Sequence, residues 1–140
     1  MTTLVGGCVC GAVRFAYAGP LAGVLGAVTV CHCAQCRKAQ GYAVAVAPGL
    51  ASAFVVTDGA ALIREFESSP GKKRAFCSVC GSPLYSRLDA KPDALRLRLG
   101  AFDALPEDLR VQAHIHTAEA PAWTQADDAP RYPGFEPRRG

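Results

Sequence analysis

Gly6-Gly7-Cys8-Val9-Cys10-Gly11, near the start of the 140-residue chain, has a counterpart far along it in Cys77-Ser78-Val79-Cys80-Gly81. Each segment sets two thiols close together beside glycine, which lets the backbone turn tightly around an ion and aim its amides at the sulfurs. Two such pairs are the usual way to build a closed four-thiolate zinc site. Sixty-six residues separate Cys10 from Cys77, so a shared ion would staple the beginning of the chain to its middle. Metal-binding free energy then becomes folding free energy, a useful supplement to the modest core of a small β domain. Cys8, Cys10, Cys77 and Cys80 are therefore read as a structural site, saturated and chemically inert.

The chain has seven cysteines, and the other three fall within Cys31-His32-Cys33-Ala34-Gln35-Cys36-Arg37-Lys38. Three thiolates leave a tetrahedral ion one open position, which can take water or an incoming thiol. Arg37 and Lys38 would favour the thiolate forms and attract an anionic substrate. The spacing leaves alternatives open. The trio can be a redox pair plus a spectator, or can close a second structural site with His32, His114 or His116. His32 lies between two ligands, an awkward geometry for binding the same ion. His114 and His116 read as surface histidines, and Trp123 and Tyr132 as core aromatics.

Bulk properties narrow the classes. Half of the residues are hydrophobic and 19% are charged, which argues for a folded chain; one domain spanning residues 1–140 is expected. A net charge of +3 is too weak and dispersed for a nucleic-acid-binding face. Lys72-Lys73-Arg74 reads as a solvated turn. The most apolar run, Leu21 to Cys31, is too short to span a bilayer and has no targeting signature. These features point to a soluble cytoplasmic protein whose cysteines hold metal and do not form disulfides, and an odd count of seven agrees.

Periodicity predicts mainly β structure. Val13, Phe15 and Tyr17 alternate with smaller or polar residues, as do Leu95, Leu97 and Leu99 with Arg96 and Arg98, and Val111, Ala113 and Ile115 with Gln112 and His114. Val24 to Val30 and Tyr42 to Ala47 are further strand candidates, the second stopping at Pro48-Gly49. Phe54 to Thr57 and Leu62 to Glu67 flank Asp58-Gly59, a hairpin signal, with Arg64 and Phe66 on one face of the returning strand. Ala34 to Gln40 should form a short helix ending at Gly41. Residues from about 120 to 140 read as an irregular tail packed on the sheet, frayed at Arg138-Arg139-Gly140.

The three cysteine motifs, with Gly7-Cys8-Val9-Cys10-Gly11-Ala12-Val13-Arg14-Phe15, Cys31 to Lys38, and Arg74-Ala75-Phe76-Cys77-Ser78-Val79-Cys80-Gly81-Ser82-Pro83-Leu84, resemble those of the glutathione-dependent formaldehyde-activating enzyme family, which includes the centromere-protein-V-like domains. A weaker likeness runs from His114-Ile115 through Pro121 and Trp123 to Pro130. The resemblance implies an antiparallel β-tent and a structural zinc on Cys8, Cys10, Cys77 and Cys80. It also implies a catalytic zinc on Cys31, Cys33 and Cys36, hence two zincs per chain, the second being the one open to loss. It implies carbon–sulfur lyase chemistry, in which a thiol such as glutathione adds to formaldehyde or the adduct is cleaved. Arg37, Lys38 and Arg74 are candidates to meet a glutathione carboxylate. Two other classes stay open: a non-catalytic zinc-stabilised binding module, and a thiol redox or metal sensor.

Overall fold

In the computed structural model, which describes residues 2–137, the chain forms two β-sheets with little helix. Met1 and the Arg138-Arg139-Gly140 end expected to fray lie outside the described residues. The smaller sheet is antiparallel, β1 (Leu4–Gly7) beside β2 (Arg14–Tyr17) beside β5 (Phe54–Asp58). The expected alternation holds through its central strand and the residue before it: Val13, Phe15 and Tyr17 are all buried. Tyr17 donates its hydroxyl to Pro20 O at 2.6 Å and accepts from the Leu50 amide at 3.1 Å, so the buried phenol is satisfied.

The larger sheet contains β3 (Thr29–Cys31), β4 (Val44–Leu50), β6 (Ile63–Ser69), β7 (Lys72–Cys77), β8 (Pro83–Leu88), β9 (Ala94–Arg98) and β10 (Ala113–Ile115). Their order is β10-β3-β4-β9-β8-β7-β6, antiparallel except for the parallel pair β10–β3. The helix α1 (Ala34–Gln40) follows β3 and ends at Gly41, as its composition suggested.

Several expectations are corrected. Val24 to Val30 is not a strand: Gly26 N–H bonds Gly23 O in a tight turn, Val24 is fully exposed, and pairing starts at Thr29. Pro48-Gly49 does not end β4. Its partner β3 pairs only as far as Val46, so at Pro48 the strand is paired on one side alone, as an edge strand is, and a proline is tolerated there. Gly49 is needed within the strand because a Cβ there would sit 2.6 Å from Leu97 Cδ1. Asp58-Gly59 is not a hairpin turn. β5 pairs with β2 and β6 with β7, so this turn carries the chain from one sheet to the other. Lys72-Lys73-Arg74 is part of β7, with Arg74 buried. Leu99 and Val111 fall outside β9 and β10.

Alternation divides the large sheet's side chains between two faces. The first face, bearing Ala47, Leu95 and Leu97, packs with Val13, Phe15, Tyr17 and Phe102 in the main core. The second, bearing Cys31, Val44, Val46 and Ile115, forms a smaller core with Cys36 of α1. The stretch after residue 119 contains no helix or strand among the described residues. It is tied to β10 by His114 N–H to Pro130 O and Tyr132 N–H to His114 O. Among the described residues, no helix is long and apolar enough to cross a membrane.

Candidate metal centres

The loop between β1 and β2 and the turn between β7 and β8 face each other. In the first, Gly11 N–H bonds Cys8 O at 3.1 Å; in the second, Gly81 N–H bonds Cys77 O at 2.8 Å. Gly11 and Gly81 have φ of 80° and 81°, the left-handed conformation that closes each turn. Val9 N–H donates to Ser82 Oγ at 3.0 Å, joining the turns directly. The sulfurs of Cys8, Cys10, Cys77 and Cys80 all lie within 4.8 Å of one another. Cys8 and Cys10 are 3.5 Å apart, Cys10 and Cys77 3.9 Å. Zinc–sulfur bonds of about 2.3 Å directed tetrahedrally put sulfurs about 3.8 Å apart, so the four thiols fit such an ion. The Ser82 hydroxyl, 3.2 Å from Cys80 Sγ, helps bring that thiol down to about 5.

The second cluster forms where β3 runs into α1. Cys33 is the N-cap of the helix, its sulfur accepting from the Cys36 amide at 3.3 Å. One turn of helix therefore folds Cys36 back toward Cys33 and Cys31, and the three sulfurs also lie within 4.8 Å of one another. His32 takes no part: its Nε2 is 2.8 Å from His114 Nδ1, whose own Nε2 is 2.9 Å from Asp127 Oδ1. The chain is satisfied with His114 donating to Asp127 and His32 donating to His114. Burial, more than the neighbouring His114, holds His32 below its ordinary value.

Arg74 reaches across the second face from β7. Its guanidinium lies 3.7 Å from Cys36 Sγ through both terminal nitrogens, and it also bonds Ser68 Oγ and Gln35 Oε1. Hydrogen bonds from Cys31 and Cys33, followed by the Arg74 charge, hold Cys36 well below the ordinary thiol range. The same sharing, first with Cys33, pushes Cys31 up. Cys36 is thus held toward its charged form and Cys31 toward its neutral one.

Of the residues the sequence suggested for substrate, only Arg74 is brought to the trio. Arg37 is half-buried and Lys38 exposed, both in the last turn of α1. Sequence reasoning missed Arg98. It was read as the polar side of an amphipathic strand, but α1 covers it: it is 4% exposed and bonds Gln40 Oε1, Ser86 Oγ and Arg96 O. His114 was expected at the surface and is buried, while His116 follows the end of β10 at φ 54°. Trp123, expected in the core, is 61% exposed and stacks on Tyr42.

Two sheets joined at a four-cysteine cluster, with a three-cysteine cluster on the second face, define a small β protein whose thiols lie close enough together that they could hold metal. The family model described as Glutathione-dependent formaldehyde-activating enzyme matches residues 3–119, and the chain belongs to that family. The fold is shared with a Rhodobacter sphaeroides protein of known crystal structure, a structural-genomics target, at a TM-score of 0.60 and 21% identity, covering 74% of this chain and 92% of that one. A search of curated proteins gave no match.

Proposed function

We propose that the protein is a zinc-dependent carbon–sulfur lyase-like enzyme that joins a thiol such as glutathione to formaldehyde or a related aldehyde, or cleaves the adduct. The observation that carries this reading is the grouping of Cys31, Cys33 and Cys36 as three mutually close sulfurs with a buried guanidinium against one of them. Cys8, Cys10, Cys77 and Cys80 would hold a structural zinc, and the two sheets meeting there would be the family's β-tent. Zinc bound to the trio would supply a Lewis acid that favours the thiolate form of a substrate thiol.

The chain's own residues do the rest. Arg74 offsets negative charge on the trio, and Cys36 is buried away from water. In the forward reaction a bond forms between the substrate sulfur and the carbonyl carbon. The carbonyl π pair moves to oxygen, and the proton lost from the thiol ends on that oxygen. Free thiols in two clusters suit a reducing compartment, so we place the reaction in the cytoplasm.

The test is formation of the S-hydroxymethyl adduct from glutathione and formaldehyde, followed by NMR, in the wild type and in Cys33→Ser. Adduct formation above the uncatalysed rate, lost in the variant while one zinc per chain is retained, is the expected result. Equal rates in the two proteins would refute the reading.

A further inference from the structure

The charges of the large sheet are sorted by face. The register places Glu65, Glu67, Lys73 and Arg87 on the first face, where Lys73 pairs with Glu67 and Asp89, and Arg87 with Glu65 and Asp89. Lys72, Arg74, Arg96 and Arg98 stand on the second face with the trio. Among the described residues neither Arg74 nor Arg98 is in an ion pair with a carboxylate. Burying a guanidinium without a counter-charge is costly. Arg74 has one in Cys36, and a trio bearing one thiolate, or three thiolates around a divalent ion, has a net charge of −1. That charge offsets Arg74 and leaves Arg98 in surplus, with only neutral partners.

Both guanidinium groups line one cavity of about 150 Å³, walled by Ala39 and Gln40 of α1 and by Phe66 and Tyr85. No Asp or Glu lines it. A space of that size accepts a group about as large as a benzene ring, the end of a substrate and not a whole tripeptide. Arg74 lines this cavity and also contacts the trio, so an anion held here would be one guanidinium away from Cys36 Sγ.

We propose that Arg98, with Arg74, forms a carboxylate subsite that selects anionic thiol substrates. This rests on the reading of the trio as a thiol–aldehyde site. Arg98 does not touch the reacting atoms. It is a specificity residue: Gln40, Ser86 and Arg96 O hold its Nε and Nη1, and Nη2 is the nitrogen that would meet the carboxylate.

The test measures binding by calorimetry, independently of turnover, with the zinc-loaded protein and S-methylglutathione, which has both carboxylates but no free thiol, and with its dimethyl ester. The ester should bind about tenfold more weakly or worse, given the usual strength of a charge-assisted hydrogen bond. Arg98→Met should remove that difference, and Arg98→Lys should restore part of it. Because the ester comparison uses the unaltered protein, it stands even where a variant fails to fold. Equal affinity for acid and ester, no binding of S-methylglutathione, or a preference unchanged in a folded Arg98→Met would overturn the subsite. Sulfate binding that does not compete with S-methylglutathione would identify a free-anion site and overturn it as well. Adduct turnover measured alongside separates the two claims. Turnover without acid–ester discrimination removes the subsite alone, and discrimination without turnover removes the reaction alone.

Discussion

The guanidinium of Arg74, 3.7 Å from Cys36 Sγ, adds to the hydrogen bonds from Cys31 and Cys33 that hold this thiol toward its thiolate form. Removing that charge in Arg74→Met raises the thiol's ionisation range. With the middle cluster free of metal, alkylation of Cys36 should move to higher pH. An unchanged pH–rate profile would mean that Arg74 does not support the thiolate. A second titration belongs to the opposite face. The Arg87 hydrogen bond holds Glu65 below its ordinary value, so its contribution to stability is complete above the usual carboxylate range and is lost as pH falls through the lowered value. The pair is partly exposed, so the contribution is under about 1 kcal/mol. The melting temperatures of the wild type and Glu65→Gln should differ near neutral pH and converge in acid. A gap that persists at low pH would contradict the assignment.

At the scale of elements, α1 depends on a cysteine in two ways. Cys33 caps the helix through its sulfur and also belongs to the trio. Cys33→Ser keeps an oxygen that can cap, whereas Cys33→Ala keeps nothing. Both should lose the second metal ion, but only the alanine variant should lose about 1 kcal/mol of cap stability, read from chemical denaturation. In β2, Tyr17→Phe would leave Pro20 O and the Leu50 amide without their partner and should cost about 1–3 kcal/mol. Such elements were legible where one face decides the pattern. Val13, Phe15 and Tyr17 meet a single core, and Gly41 caps α1 in the left-handed conformation. β9 was legible only by half. Leu95 and Leu97 marked the main core, but a second core on the opposite face turns Arg98 inward, and alternation cannot tell a solvated polar face from a covered one.

At the scale of the molecule, the four-cysteine cluster joins the small sheet to the large one, and spacing alone pointed to it because both pairs sit in glycine-bounded turns. The passage of the chain between sheets at Gly59 was not legible, since a hairpin turn and a crossover share the same local sequence. The tail defied periodicity as well. Its attachments are a histidine chain ending at Asp127 and backbone bonds to β10, which no regular pattern encodes. If the cluster is the staple, Cys80→Ser should lower the melting temperature by about 10 °C or more, as loss of several kcal/mol of metal-linked stability would. Cys31→Ser should change it far less. The central claim is that the trio holds an ion with a position open to a substrate thiol. It is tested most directly by loading the protein with cobalt(II) as a spectroscopic stand-in for zinc and titrating glutathione. Two metal ions per chain and a glutathione-dependent increase in sulfur-to-cobalt charge-transfer absorption, absent in Cys31→Ser, are the predicted result. A spectrum indifferent to glutathione at full metal loading would contradict the account.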